Sequence, residues 1–190
     1  MTLREKLDAG RFIVTAEIGP PKGIDIQQAL TTAEYTRGIV DAWNVTDLQS
    51  SVMRLGSVVV SGALRTAGFE PVCQIACRDR NRLALQSDLL SAAALGIENL
   101  LILTGDYPTI GDHPQAKPVF DLDAVQLLDV VRVLQEGRDM NGNALSGAFP
   151  RYCAGAVVNP AADPLEPELI KMEKKVRAGA RFFQTQAVFD

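Results

Sequence analysis

Apolar residues in this chain fall into short runs that alternate with longer amphipathic stretches. Six runs read as strands, at residues 12–17, 42–46, 71–76, 99–103, 152–158 and 181–186. Each is aliphatic, short and bounded by turn-forming residues. The stretches between them, at 26–36, 55–66, 81–95, 123–135 and 167–178, read as helices. Asp25 leads the first, and an aliphatic stripe beginning at Leu83 marks the third. Gly38, Gly68, Gly96, Gly137 and Gly179 follow these helices, where a C-terminus takes a residue at positive φ. Where no insertion intervenes, the strands recur at about 30 residues, the length of one βα unit. Residues 136–149, with three glycines, read as a long surface excursion.

Strict alternation of strand and helix predicts a parallel sheet with helices outside it. An open doubly wound sheet and an eight-stranded barrel are the two usual closures. No Gly-x-Gly-x-x-Gly follows the first strand and no Walker A sequence occurs, which weighs against the dinucleotide fold. Polar residues at successive strand ends favour the barrel, whose sites are built there. They are Glu17, Thr46 with Asp47, Gln74, Asp106 and Gln186. The expected fold is therefore α/β, a (β/α)8 TIM-barrel type with about six βα units. Residues 1–190 are read as one partial barrel domain. A full barrel has eight units in about 250 residues, so the chain reads as the N-terminal two-thirds of one.

Composition narrows the function. The chain is 47% hydrophobic and 22% charged, ordinary for a globular domain. A net charge of −4 without a basic tract argues against nucleic-acid binding. No apolar run approaches the roughly 20 residues of a membrane span, and the mixed-charge opening is unlike a signal peptide, so a cytoplasmic location is expected. Cys73 and Cys77 lie four residues apart along one strand direction, about 13 Å, too far to share a disulfide or a metal ion. They and Cys153 read as small buried hydrophobes, and a single histidine, His113, excludes a multi-histidine metal site. No metal is expected.

Glu17 is the sharpest candidate. It ends an apolar strand just before Gly19-Pro20-Pro21, and with Ile13 and Thr15 it shares the face that lines a barrel lumen. A carboxylate there is either a structural hydrogen-bond acceptor or a catalytic acid. Asp106, in the turn after the fourth strand, would face it across the rim as a second carboxylate. In Cys77-Arg-Asp-Arg-Asn-Arg82 the guanidinium groups read as a clamp for phosphate, carboxylate or each other's counterions. Asp79 or Asn81 caps the next helix. Trp43 reads as a packing residue.

Taken together, several segments resemble methylenetetrahydrofolate reductase. They are Ala16-Glu17 before Pro20-Pro21, Trp43-Asn-Val-Thr-Asp47, Cys77-Arg-Asp-Arg-Asn81, Leu103-Thr-Gly-Asp106, Ala156-Val-Val-Asn-Pro160, Glu173-Lys-Lys-Val-Arg-Ala-Gly179 and Thr185-Gln-Ala-Val-Phe-Asp190. The likeness is strongest to bifunctional homocysteine methyltransferase/reductase proteins and acetogen-type reductases. It implies a flavin-containing barrel that reduces 5,10-methylenetetrahydrofolate to 5-methyltetrahydrofolate in one-carbon and methionine metabolism. The hydride comes from NAD(P)H or a redox partner protein. Glu17 matches the family's general acid, a role that needs a water-poor lumen because desolvation holds a carboxyl protonated. Asp106 matches the aspartate near flavin and pterin, and Gln186 a folate contact. Thr46, Gln74, Gly105, Asp106, Asn159, Glu168 and Lys175 fall on flavin-side positions. Gln74 stands where enterobacterial-type enzymes carry His, and Gly155 and Asn159 where they carry Tyr and His. FAD is the expected flavin, with FMN the alternative. Association as a homo-oligomer or with a partner subunit is expected, since unpaired edge strands drive association. A non-catalytic folate- or flavin-binding subunit is the runner-up reading. A Mg²⁺-dependent lyase barrel is a weaker third.

Overall fold

A computed structural model describes residues 1–188 of the chain. Its strands are β1 (Thr15–Ile18), β2 (Ala42–Val45), β3 (Pro71–Ala76), β4 (Asn99–Leu103), β5 (Cys153–Val158) and β6 (Phe182–Thr185). The helices are α1 (Leu3–Asp8), α2 (Gln27–Tyr35), α3 (Ser57–Thr66), α4 (Arg82–Ala94), α5 (Ala124–Gln135) and α6 (Glu166–Arg177). The strands form one parallel sheet in sequence order, β1 to β6, curled into part of a (β/α)8 barrel. Among the described residues, the outer edges of β1 and β6 carry no further strand. The fold class and strand count expected from the hydrophobic pattern are those observed. The five glycines after the helices all take positive φ, from 74° to 110°.

Strand alternation divides the apolar residues between two sides. Outward, Cys73, Ile75, Leu100, Ile102 and Ala156 pack against Leu85 and Leu89 of α4 and Leu127, Leu128 and Leu134 of α5. A second outer cluster joins Ile18, Trp43 and Val45 to Ala33 of α2 and Val60 and Leu64 of α3. Trp43 packs edge-on against Phe69, with ring centroids 4.9 Å apart, and its Nε1 donates to Thr36 Oγ1. Inward, Ala42, Val72 and Leu101 form an apolar floor with Phe182 packed on it. The ring of Phe182 occupies the place a Cβ on Gly155 would take, so an aromatic group from β6 fills the space that glycine leaves.

The structure differs from the sequence pattern at two places near the start of the chain. The first strand was read from residue 12, but pairing starts at Thr15↔Ala42. Before it, Asp41 Oδ2 accepts the Val14 N–H at 2.8 Å while Lys6 holds Oδ1 of the same carboxylate, and Phe12 is exposed. The Asp41 N–H still donates to the Val14 carbonyl at 2.7 Å, so a side chain supplies one of the two bonds between these residues and the regular ladder begins after them. The second is α1, which no expectation covered. A capping box between Thr2 and Glu5 starts it, and its Leu3 is buried against the lumen floor. The Leu3 N–H donates to Glu70 Oε1 at 3.1 Å, and Asn99 Nδ2 donates to the same oxygen. The excursion at 136–149 is closed by a bridge between Arg138 and Ala144 and sets Met140 and Leu145 on the core.

Candidate functional site

The C-terminal strand ends surround a cleft of about 350 Å³. All nine residues expected at the site line it: Glu17, Thr46, Gln74, Gly105, Asp106, Asn159, Glu168, Lys175 and Gln186. They come from all six strands, or the turns just past them, and from α6, so parallel order carries residues 169 positions apart to one mouth. The last two residues of the seventh segment, Phe189 and Asp190, lie outside the described residues.

Each strand end places its residue differently. Glu17 sits opposite Asn44 in the β1–β2 register, and its Oε1 accepts a hydrogen bond from Gln49 Nε2 at 3.2 Å. Thr46, just past β2, is 2% exposed, and among the described residues its Oγ1 has no hydrogen-bond partner. Gln74 is buried in β3, where its carbonyl accepts from Ser57 Oγ at the start of α3. After β4, Gly105 takes φ +95° and lies so near the Arg78 side chain that a Cβ would meet Arg78 Cβ at 3.0 Å. Both constraints call for glycine, and they set the turn that presents Asp106. Past β5, the Asn159 N–H donates to Glu168 Oε1 at 3.1 Å, tying the β5 end to α6. From α6 the Lys175 ammonium donates to the Val157 carbonyl, and the Gln186 N–H donates to the Val158 carbonyl. Burial pushes the Lys175 ammonium below the ordinary lysine range, with Glu168 opposing the shift.

The arginine run settles between its alternatives: it clamps its own carboxylates. Arg78 forks onto Asp79 at 2.9 and 2.7 Å. Arg80 bridges Asp47 and Asp88, and Arg82 holds Asp121 at 2.9 Å. Asn81 caps α4 by accepting from the Leu83 and Ala84 N–H groups. Asp47 also accepts the Ala76 N–H at 2.8 Å. Burial pushes the Asp47 carboxyl up from its usual range, and Arg80 pulls it back.

The environment of Glu17 departs from expectation. A water-poor lumen was expected around it, yet Glu17 is exposed. Among the described residues β1 pairs with β2 alone, so they cover the carboxylate from that side. Sequence reasoning also passed over Gln49 and Ser51. The polar run Asp47-Leu-Gln-Ser-Ser51 after the second strand was the available signal.

Comparison with known proteins identifies the family and the fold. The family model described as methylenetetrahydrofolate reductase matches residues 2–190. A 5,10-methylenetetrahydrofolate reductase of Pectobacterium carotovorum subsp. carotovorum is 26% identical over 95% of this chain and 56% of its own length. The Salmonella typhimurium protein of the same name is 25% identical over the same shares. The chain thus spans little more than half the length of these relatives. A solved structure from Clostridium thermocellum, of a protein that binds two copies of 5-methyl-5,6,7,8-tetrahydrofolic acid, matches 99% of this chain and 59% of that one. Its TM-score is 0.59 at 15% identity, a likeness of fold. With the family model matching from residue 2 to residue 190, the chain belongs to the methylenetetrahydrofolate reductase family.

Proposed function

We propose that this chain carries the strand-end site of a flavin-dependent reduction of 5,10-methylenetetrahydrofolate to 5-methyltetrahydrofolate. The observation that carries the reading is the convergence of Glu17, Asp106 and Gln186 with Thr46, Asn159 and Lys175 on one cleft. The folate bound by the Clostridium thermocellum protein supports the substrate class.

A flavin fits the residues present. The buried Thr46 hydroxyl has no protein partner among the described residues, and such a group is expected to meet a ligand or an ordered water. The volume lies within the usual range for cofactor clefts, roughly 300–1,000 Å³. Thr46, Gln74, Gly105, Asn159, Glu168 and Lys175 would hold the flavin, FAD before FMN. When bound, the flavin supplies the hydride received from NAD(P)H or a protein donor. Glu17 gives its proton to the ring nitrogen at position 10 of the substrate as the five-membered ring opens. The Asp106 carboxylate stabilises the resulting iminium charge at nitrogen 5. Hydride addition to the methylene carbon then gives the methyl product, so the overall change is the gain of one proton at nitrogen 10 and one hydride at carbon. Gln186 orients the pterin.

Among the described residues the Glu17 carboxylate is exposed, which favours a second reading, a folate- or flavin-binding subunit that needs a partner to turn over. One experiment serves both. The chain is incubated with FAD, freed of unbound ligand, and its visible spectrum recorded before methylenetetrahydrofolate and an electron donor are added. Retained flavin with turnover supports the reductase, and retained flavin without turnover supports the subunit. A colourless protein counts against both. In an active preparation Glu17→Gln is expected to keep flavin binding and flavin reduction and to lose folate reduction.

A further inference from the structure

The loop after β2 is held in an unusual conformation. Leu48, Ser50 and Ser51 have φ of 48°, 54° and 57°, the left-handed region that non-glycine residues rarely adopt. Gln49 sits inside this run and donates through Nε2 to Glu17 Oε1. A strained backbone persists only where surrounding contacts impose it. Here those contacts are explicit. Arg78, 2% exposed, donates to the Leu48 carbonyl at 3.3 Å and to Ser51 Oγ at 3.0 Å. It also donates to the Asp106 carbonyl at 3.1 Å. Ser51 Oγ lies 3.1 Å from the carbonyls of Asp106 and Tyr107. Gly111 packs so closely on the Ser51 carbonyl that a Cβ there would overlap it.

We infer that Gln49 is a positioning residue for Glu17, and that Arg78 and Ser51 form the clamp that aims it. The inference rests on the reading of Glu17 as the acid. Glu17 is exposed, so packing alone does not fix its carboxyl. An amide N–H on Oε1 marks that oxygen as the acceptor and leaves Oε2 to carry the acidic proton toward the cleft. After proton transfer the same N–H stabilises the carboxylate. Because Arg78 touches both the Leu48 and Asp106 carbonyls, one guanidinium ties the loop that carries Gln49 to the turn that presents Asp106.

Two readouts on the full chain test this. The first is the Gln49 side-chain amide in ¹H–¹⁵N NMR spectra of wild type, Glu17→Ala and Arg78→Lys. The two Gln49 amide protons are expected to be shifted in wild type and to return to ordinary exposed-glutamine positions in both variants. Unchanged Gln49 signals in either variant overturn the clamp. Should Arg78→Lys fail to fold, Ser51→Ala removes one of the same ties and takes its place. The second is steady-state reduction of methylenetetrahydrofolate by the FAD-loaded chain. Gln49→Ala is expected to lower kcat by about tenfold to a hundredfold, the scale of a misplaced catalytic group, with KM and FAD retention unchanged. Wild-type kcat in Gln49→Ala beside an inactive Glu17→Gln overturns the positioning role and leaves the acid reading standing. A fully active Glu17→Gln overturns the acid reading itself. The NMR readout needs no turnover, so it judges the clamp separately.

Discussion

The middle of the sheet and its two edges obey the same strand–helix grammar and end in different environments. Every residue of β2 and β3 is buried, and β4 is buried through its first four positions. β1 buries only Ile18, and β6 buries none of its four residues. The ion pairs follow the same division. Arg80–Asp47 is shielded in the middle, with the Asp47 side chain 2% exposed, whereas Arg181–Asp8, between the β6 side and α1, is about half exposed at both ends. Burial is thus a property of having neighbours on both sides. The difference also divides the site: Thr46, Gln74 and Arg78 are set by a finished core, while Glu17 depends on a hydrogen bond from a strained loop.

Substitutions can break or sharpen this contrast. The largest loss is expected at Asp47→Ala, which leaves Arg80 only its more exposed partner Asp88 and leaves the buried Ala76 N–H without its acceptor, and should cost about 3 kcal/mol in urea denaturation. Asp8→Ala should cost less than about 1 kcal/mol, since its pair with Arg181 is solvated. Equal losses at the two positions would erase the distinction. Next comes packing. Leu85→Ala, in the α4 core, should lower stability by about 3 kcal/mol. Leu169→Ala, on the exposed face of α6, should stay within about 0.5 kcal/mol of wild type. Smaller again is Asn81→Ala, which removes the cap of α4 and should cost about 1 kcal/mol by thermal or chemical denaturation.

The smallest effect is a pH dependence. Arg82 holds the Asp121 carboxyl down at about 2 from its ordinary 3.8, through its side chain and its backbone N–H. The folded value lies below the unfolded one, so this contribution is complete above about pH 4 and is lost as pH falls toward 2. The melting temperature of Asp121→Asn, followed from pH 5 to pH 2, should fall less steeply than that of wild type. Parallel curves would remove Asp121 from the acid response.

Much of this was readable from period and punctuation. β3 and β4 begin and end at the residues the apolar runs marked, because a strand buried on both faces is a continuous apolar run between turn residues. The site residues were legible as polar groups at apolar strand ends, and parallel order brings such ends together. What escaped was non-local. Helix α1 is only six residues long, too short for a periodic signal, and it is secured by Glu70 far along the chain. The left-handed residues Leu48, Ser50 and Ser51 include no glycine to announce them, since contacts from Arg78 and Gly111 impose the conformation. The arginine run could not be resolved from sequence, because which of several carboxylates each guanidinium meets is a matter of distance in space. The sequence by itself determined the alternation of strands and helices, their parallel order and the set of polar residues at one rim, all of which follow from local period and chain direction. Tertiary structure alone decided which carboxylates are paired, that Glu17 stands exposed at an edge, and that Gln49 reaches it, because burial and hydrogen bonding depend on neighbours distant in sequence.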